Sequence, residues 1–489
     1  MTFALPAVPG SPQACLALLL PLLALLQPAT ATAADLLQVY RDAQANDAQF
    51  ASARAQLEAT REKLPQARSG LLPQIAGTAG ATRTNIDQSQ PIAANRFFNA
   101  NTWALQLTQP LFRWDRWESY KQGELAVLAG EVTFNQARLD LILRTSQAYF
   151  DVLAAQDNLY LAGAQKKAIS EQLAQAKRNF EVGTATITDA NDAQARYDLA
   201  VSSEIAAQND LEIKRATLQQ ITAKPVDALL GLRGGAAIPG PQPADVGAWT
   251  AQAEADNLQV GLARYNLESA QRETNKARAA HLPTVDLVAG YGFTNQTGTA
   301  TQQVNVASRY NSSQIGVQLN IPLYSGGQIQ SRVRETIALA DKAASDLEYA
   351  RRTAAQTARQ SYSGVSNGLA QVKALEAAER SAQSAVESNQ LGYEVGVRIN
   401  IDVLNAEAQL FSTRRDLARA RYDTIMNGLR LKAAAASLQE DDVVQINTLL
   451  TSAPGSMYQL PAAPKLGEAT RRAAPRGKRE AMATATPRT

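Results

Sequence analysis

Apolar positions along this chain follow two alternating textures. Leu36, Val39, Tyr40, Phe50, Leu57 and Leu64 form a sparse stripe at helical spacing through residues 35–69. After Leu71-Leu72-Pro73 the texture changes. Residues 74–84 are Gly- and Thr-rich and read as strand, 85–101 read as a polar loop, and Trp103, Leu105 and Leu107 then alternate with polar residues up to Pro110-Leu111-Phe112. No proline occurs from Leu111 to Lys224. In that run Leu125, Leu128, Val132, Leu139, Ile142, Tyr149, Leu153 and Tyr160 fall on three- and four-residue steps or their sums, a coiled-coil seam. A helix from about Trp114 to Glu181 would reach on the order of 100 Å, more than a globular core requires. A shorter helix is expected to return from Asp189 to about Ile221.

The series then recurs. Residues 249–280 are helical in pattern, His281-Leu282-Pro283 repeats Leu71-Leu72-Pro73, and 284–294 read as strand followed by a polar loop over 295–311. Ile315, Val317, Leu319 and Ile321 alternate before Pro322-Leu323-Tyr324, and a second proline-free run extends from Leu323 to Ala453. The sharpest repeat is Phe180-Glu-Val-Gly183, which returns as Tyr393-Glu-Val-Gly396. A Gly there supplies the left-handed stop of one helix, and Asp189 and Asp402 are expected to cap the next. The organisation expected is a signal peptide over 1–33, a first repeat over 34–224 with its hairpin tip at 183–188, and a Pro/Gly linker over 225–248. A second repeat follows over 249–450 with its tip at 396–401, then a disordered basic tail over 451–489.

Composition narrows the picture. With 489 residues, 6% aromatic, and a net charge of +3, the chain suits long helices packed closely rather than several compact globules. Residues 1–34 hold no charge, and Leu16–Leu26 is too short an apolar run to span a bilayer, so it reads as an export leader. Cys15 lies inside it, which leaves the exported chain without thiol chemistry. No later run is apolar enough for a transmembrane helix, so any crossing must be made by strands. An enzyme is excluded on inventory: His281 is the single His, no His or carboxylate cluster has metal spacing, and Gly326-Gly327 reads as a strand-to-helix break rather than a phosphate loop. No cofactor, metal or nucleic acid is expected, the basic tail being read as a solvated end.

Each repeat supplies two strands of about ten residues, enough to span an outer-membrane hydrocarbon layer when tilted. Four strands cannot close a barrel, and lipid permits no open sheet edge. Other subunits must satisfy the edges, and three chains would supply twelve strands. Trp103, Trp114 and Trp117 stand beside the expected strand ends, where interfacial aromatics belong.

With leader, doubled helix-strand-strand-helix units and both turn motifs in place, the sequence resembles the TolC family of outer-membrane export channels. The resemblance rests on Leu71-Leu72-Pro73-Gln74, Leu105 to Pro110, Phe180 to Gly183 with Ile187-Thr188-Asp189, and His281 to Leu287. It continues through Ile321 to Gly327, Tyr393 to Arg398, Ile401 to Leu404, and Leu438 to Val444, and it covers residues 35–450. It implies a mainly α fold with membrane β: coiled-coil hairpins forming a periplasmic tunnel, and four strands per chain in a twelve-stranded trimeric barrel. It also implies a homotrimer that conducts substrate passively, partnered by a periplasmic adaptor and an inner-membrane ABC or RND transporter, for type I protein secretion or multidrug efflux. By the same resemblance Tyr393 and Arg398 on the inner hairpin would latch the periplasmic entrance to Thr188 and Asp189 on the outer one, Gly183 and Gly396 would form the turns, and Asp402 would ring the pore constriction. Asn405 departs from the family pattern, standing where a second Asp ring is known, and should weaken cation selectivity. A periplasmic adaptor is the alternative, but one hairpin flanked by β-rich domains is its pattern, whereas here the hairpin is doubled. The doubling also argues against a trimeric coiled-coil adhesin. The cargo is open.

Overall fold

The computed structural model describes residues 33–89, 94–225, 228–298 and 306–451. The expected leader, with Cys15, and the expected basic tail lie outside the described residues except at Ala33 and Thr451. The first helical stretch is not one helix but three: α1 (Leu36–Asn46), α2 (Ala48–Arg61) and α3 (Lys63–Ser69). Asp47 makes the first break. Its backbone is extended, and its carboxylate accepts a hydrogen bond from the Phe50 N–H at 2.6 Å. The second repeat breaks at the equivalent Asn257, between α6 (Val246–Asp256) and α7 (Leu258–Ala279). The Asn257 amide accepts from the Gln259 N–H at 2.8 Å and donates to the Ala434 carbonyl at 2.8 Å. A short polar side chain that caps the following helix lets the chain bend without orphaning its donors. The apolar period runs on through both bends, so the pattern alone reads as continuous helix.

Two hairpins of long helices dominate. By the labels the resemblance supplies, the outer one is α4 (Trp114–Glu181, 68 residues) with α5 (Ile187–Thr222), and the inner one is α8 (Gln328–Glu394, 67 residues) with α9 (Asn400–Ala434). Of the expected seam in α4, Leu125, Ile142, Tyr149 and Leu153 are buried, while Leu128 and Tyr160 remain 40% and 37% exposed. Small residues let the helices approach closely: Ala193, Ala200, Ala207, Ala354 and Ala358 are all buried. At Gly368 of α8 an added Cβ would collide with the Thr424 hydroxyl of α9, and at Gly364 it would stand 2.9 Å from the Asn427 amide.

The largest core gathers Leu36 and Tyr40 of α1 with Ile142, Tyr149, Phe150, Leu218, Tyr422 and Met426 from both hairpins. The linker crosses it and ties the start of the first repeat to the end of the second, Leu229 bridging to Ala34 and Leu232 to Leu450. The Tyr149 hydroxyl donates to the Leu230 carbonyl at 2.6 Å. Tyr40 donates to Glu440 of α10 (Glu440–Asn447) at 3.2 Å, and burial, reinforced by that carboxylate, pushes its phenol up to about 12.

The strands β1 (Gln74–Gln88), β2 (Ala94–Phe112), β3 (Thr284–Gln296) and β4 (Ser308–Asn320) form one antiparallel sheet in chain order. They hold 15, 19, 13 and 13 residues, longer than the ten expected. Residues 85–88 and 94–101, read above as polar loop, continue the ladder, Asn85 pairing with Phe97 and Asp87 with Asn95. Polar side chains do not end a ladder whose far end stands in water, which is why composition placed the boundary too early. Trp103 consequently sits well inside β2 rather than beside its end, packed against Tyr291 and Phe293 at centroid distances of 5.6 and 6.5 Å. Trp114 and Trp117 lie in the first turn of α4, both exposed.

Candidate functional site

The register sorts the sheet into two unlike faces. Gly77, Leu105, Tyr291 and Ser313 align across it, as do Ile75, Leu107, Ala289 and Ile315. With Trp103, Phe293, Leu287, Val317 and Leu319 these positions make one apolar face, because side chains two apart share a side. It is open to the surroundings, Ile315 being 78% and Ile75 71% exposed. The alternate positions carry Thr78, Thr102, Gln106, Gln314 and Gln318, a polar face. β1 pairs only with β2 and β4 only with β3, so among the described residues both outer edges lack a partner. An apolar face with open edges is an aggregation hazard in water; closed against further copies within lipid it becomes a barrel wall. Where strand hands over to helix, Arg113 grips Asp286 of β3 through two hydrogen bonds of 3.0 and 2.6 Å, and Asp286 is buried.

At the other end of the hairpins the two tips are near copies. α4 stops at Val182 and α8 at Val395, both with φ −89° and ψ 1°, and Gly183 and Gly396 follow at φ 77° and 79°. The Gly183 N–H donates to the Phe180 carbonyl at 3.0 Å and the Gly396 N–H to the Tyr393 carbonyl at 3.1 Å. An L-residue at either Gly would be strained by the left-handed backbone.

The way into the returning helix differs. Thr186, not Asp189, is the N-cap of α5: its hydroxyl accepts from the Asp189 N–H at 3.3 Å, while the Asp189 carboxylate accepts from the Thr186 N–H at 3.0 Å and its hydroxyl at 2.8 Å. Asp189 is the third-position member of a capping box. In the inner tip Ile399 precedes α9 without any side-chain cap. Asp402 therefore caps nothing, and its carboxylate lies 3.7 Å from Arg398. Gly392 makes room for this arrangement, since a Cβ there would stand 2.7 Å from Cγ of Arg398.

Two hydrogen bonds tie the inner hairpin to the outer one near the tips. The Asn179 amide donates to the Tyr393 hydroxyl at 2.9 Å, and the Arg196 guanidinium donates to the Asn405 side-chain oxygen at 2.9 Å. Among the described residues Thr188 makes no side-chain hydrogen bond and Asp189 is occupied by its capping box, so neither meets Tyr393 or Arg398 there. Asn179 and Arg196 were not legible in the sequence, because their partners lie 214 and 209 residues away. Asn179 does sit directly before the repeated Phe180-Glu-Val-Gly183 motif, the one local signal that could have marked it.

Behind these ties Leu404 of α9 packs among Ile169, Leu173, Ala176, Ala193 and Ala200 of the outer hairpin. One turn further along α9, Glu407 is 5% exposed. One of its oxygens accepts from Gln390 at 3.2 Å, and the other has no partner among the described residues. Burial raises its carboxyl above the ordinary 4.5, the Gln390 bond opposes this, and the charge of Glu171 adds to the rise. Among the described residues no helix is long and apolar enough to cross a membrane, and no cluster of three His, Cys, Asp or Glu side chains could hold a metal.

The family model described as "Outer membrane efflux protein" matches residues 39–224 and 249–437. The chain is 34% identical over 427 residues to "Outer membrane protein TolC" of Escherichia coli, covering 86% of this chain and 85% of that protein. It is 28% identical over 450 residues to "Proteases secretion protein PrtF" of Dickeya chrysanthemi, covering 90% and 96%. Among solved structures, the Campylobacter jejuni CmeC outer membrane channel superposes with a TM-score of 0.71 at 18% identity, over 84% of this chain and 89% of that one. Vibrio cholerae VceC gives 0.70 at 17% identity, over 82% and 95%.

Proposed function

The chain belongs to the outer membrane efflux protein family, and from that premise we propose that three copies close their sheets into one barrel and their hairpins into one tunnel. It is an outer-membrane channel that passes substrate outward, in the manner of type I secretion and multidrug efflux systems. The observation that carries the assignment is the four-stranded sheet with one apolar face, one polar face and two unpartnered edges. Joining β4 of one copy to β1 of the next satisfies the edge groups that lipid would leave bare. The apolar face then meets lipid, and the polar face lines water. Twelve strands is an even number within the range of such barrels. A periplasmic adaptor has no use for such a sheet, and that reading is discarded. The relatives are channels and secretion proteins rather than enzymes.

The inner end is the gate. Asn179–Tyr393 and Arg196–Asn405 hold the inner hairpin against the outer one, and both ties are weak enough for a docking partner to break. Arg398 and Thr188 are exposed and reach toward the neighbouring copy in the closed ring. Asp402, one per copy, brings three carboxylates to the pore axis, which favours cations. Opening follows engagement by a periplasmic adaptor and its inner-membrane transporter, so the channel itself consumes no energy. Outer-membrane fractionation and native mass measurement of the detergent-extracted protein test the assembly. Three chains in the outer-membrane fraction support it, and a monomer soluble without detergent overturns it.

A further inference from the structure

The gate ties leave unused one buried acid of the hairpin interface. Glu407 faces the outer hairpin from α9, three residues after Leu404 and on the same side, within the seam that opening must part. Its setting suits a neutral carboxyl: it is shielded from water, it accepts one hydrogen bond from the Gln390 amide, and its second oxygen is unanswered. From α8 its neighbour is the uncharged Gln390. From α4 the group whose charge bears on it is Glu171, which is exposed, and α5 adds no charge that reaches it. Among the described residues no cation compensates it, so an ionised Glu407 would stand buried beside a like charge.

We propose that Glu407 is a proton-binding site that couples pH to the gate: protonated, it seals the inner hairpin against the outer one, and on losing its proton it drives them apart. This rests on the gate placed above at the hairpin tips. Because the closed seam raises the Glu407 pKa above 4.5, whereas the parted seam returns it toward that value, protons stabilise the closed form. That stabilisation is complete below 4.5 and is lost as pH rises through the raised value. The open-to-closed ratio then climbs by about tenfold for each unit of difference, in each copy. A seam of this kind stays shut under acid stress.

The experiment is single-channel recording of the full-length protein in planar bilayers from pH 4.5 to 8.5, for wild type, Glu407→Gln, Glu171→Gln and Tyr393→Phe. Wild type opens more as pH rises. Glu407→Gln, which keeps the shape of the neutral form, stays closed and flat with pH, while Glu171→Gln shows a smaller rise that ends at lower pH. A Glu407→Gln channel that retains the wild-type pH response overturns the proposal. So does a flat wild-type response when Tyr393→Phe still opens the channel, and that combination leaves the tip gate standing. Failure of Tyr393→Phe to open it removes the gate instead.

Discussion

Removing the hydroxyl of Tyr393 is the smallest perturbation that bears on gating. The group accepts one hydrogen bond, from Asn179 at 2.9 Å, and its residue is half-buried at the tip of the inner hairpin. A neutral bond of this kind contributes about 1 kcal/mol net. If the three copies open together, Tyr393→Phe shifts the gate by about 3 kcal/mol, which is roughly a hundredfold in the open-to-closed ratio at 1.4 kcal/mol per decade. If each copy opens alone, the same change yields only about fivefold, so the size of the effect also reports cooperativity. Open probability in a planar bilayer is the readout. Asn179→Ala removes the same bond from the other side and should match Tyr393→Phe, and the pair together should do little more than either alone. Unchanged gating in Tyr393→Phe, or full additivity in the double variant, would refute the tie.

Other consequences follow from the packing. Arg113→Met strands the buried Asp286 and should destabilise the protein by roughly 2–3 kcal/mol in a denaturant titration, below the ~3–5 of a fully buried pair because Arg113 is about a third exposed. Arg113→Met with Asp286→Leu should recover most of that loss. Gly368→Ala forces a methyl onto the buried Thr424 and should cost about 1–3 kcal/mol, partly relieved by adding Thr424→Ala. Thr186→Ala removes the cap of α5 and should cost about 1 kcal/mol, seen as faster hydrogen exchange in the first turn of α5. The matching change at Asp402, to Asn, should leave the first turn of α9 unaffected, since no side chain caps it.

Much of this architecture was legible because long periodic signals are hard to mistake. The seam through Ile142, Tyr149 and Leu153 marked a helix from Trp114 to Glu181, and those are its ends. The two glycines after Glu-Val could only be left-handed stops, and both are. Local exceptions were hidden wherever one polar side chain overrides a pattern that continues around it. Asp47 and Asn257 bend their helices by capping the next one, without disturbing the apolar stripe. Thr186 takes the capping role from Asp189 because the turn ends three residues earlier than the acid suggests. The ties proposed to hold the gate join residues from different repeats, and nothing in local spacing announces a partner two hundred residues away. Asn405 illustrates the same limit: the family resemblance sets it where a second pore ring is known, and within one chain its side-chain oxygen accepts from Arg196, 209 residues away.

The central claim is that these open-edged sheets close into a conducting pore, and the conductance of the purified wild-type protein in a planar bilayer tests it most directly. The account predicts discrete steps of small, cation-favouring conductance that enlarge when the tip ties are broken. A protein verified as folded that enters the bilayer yet never conducts, with or without those ties, would contradict it.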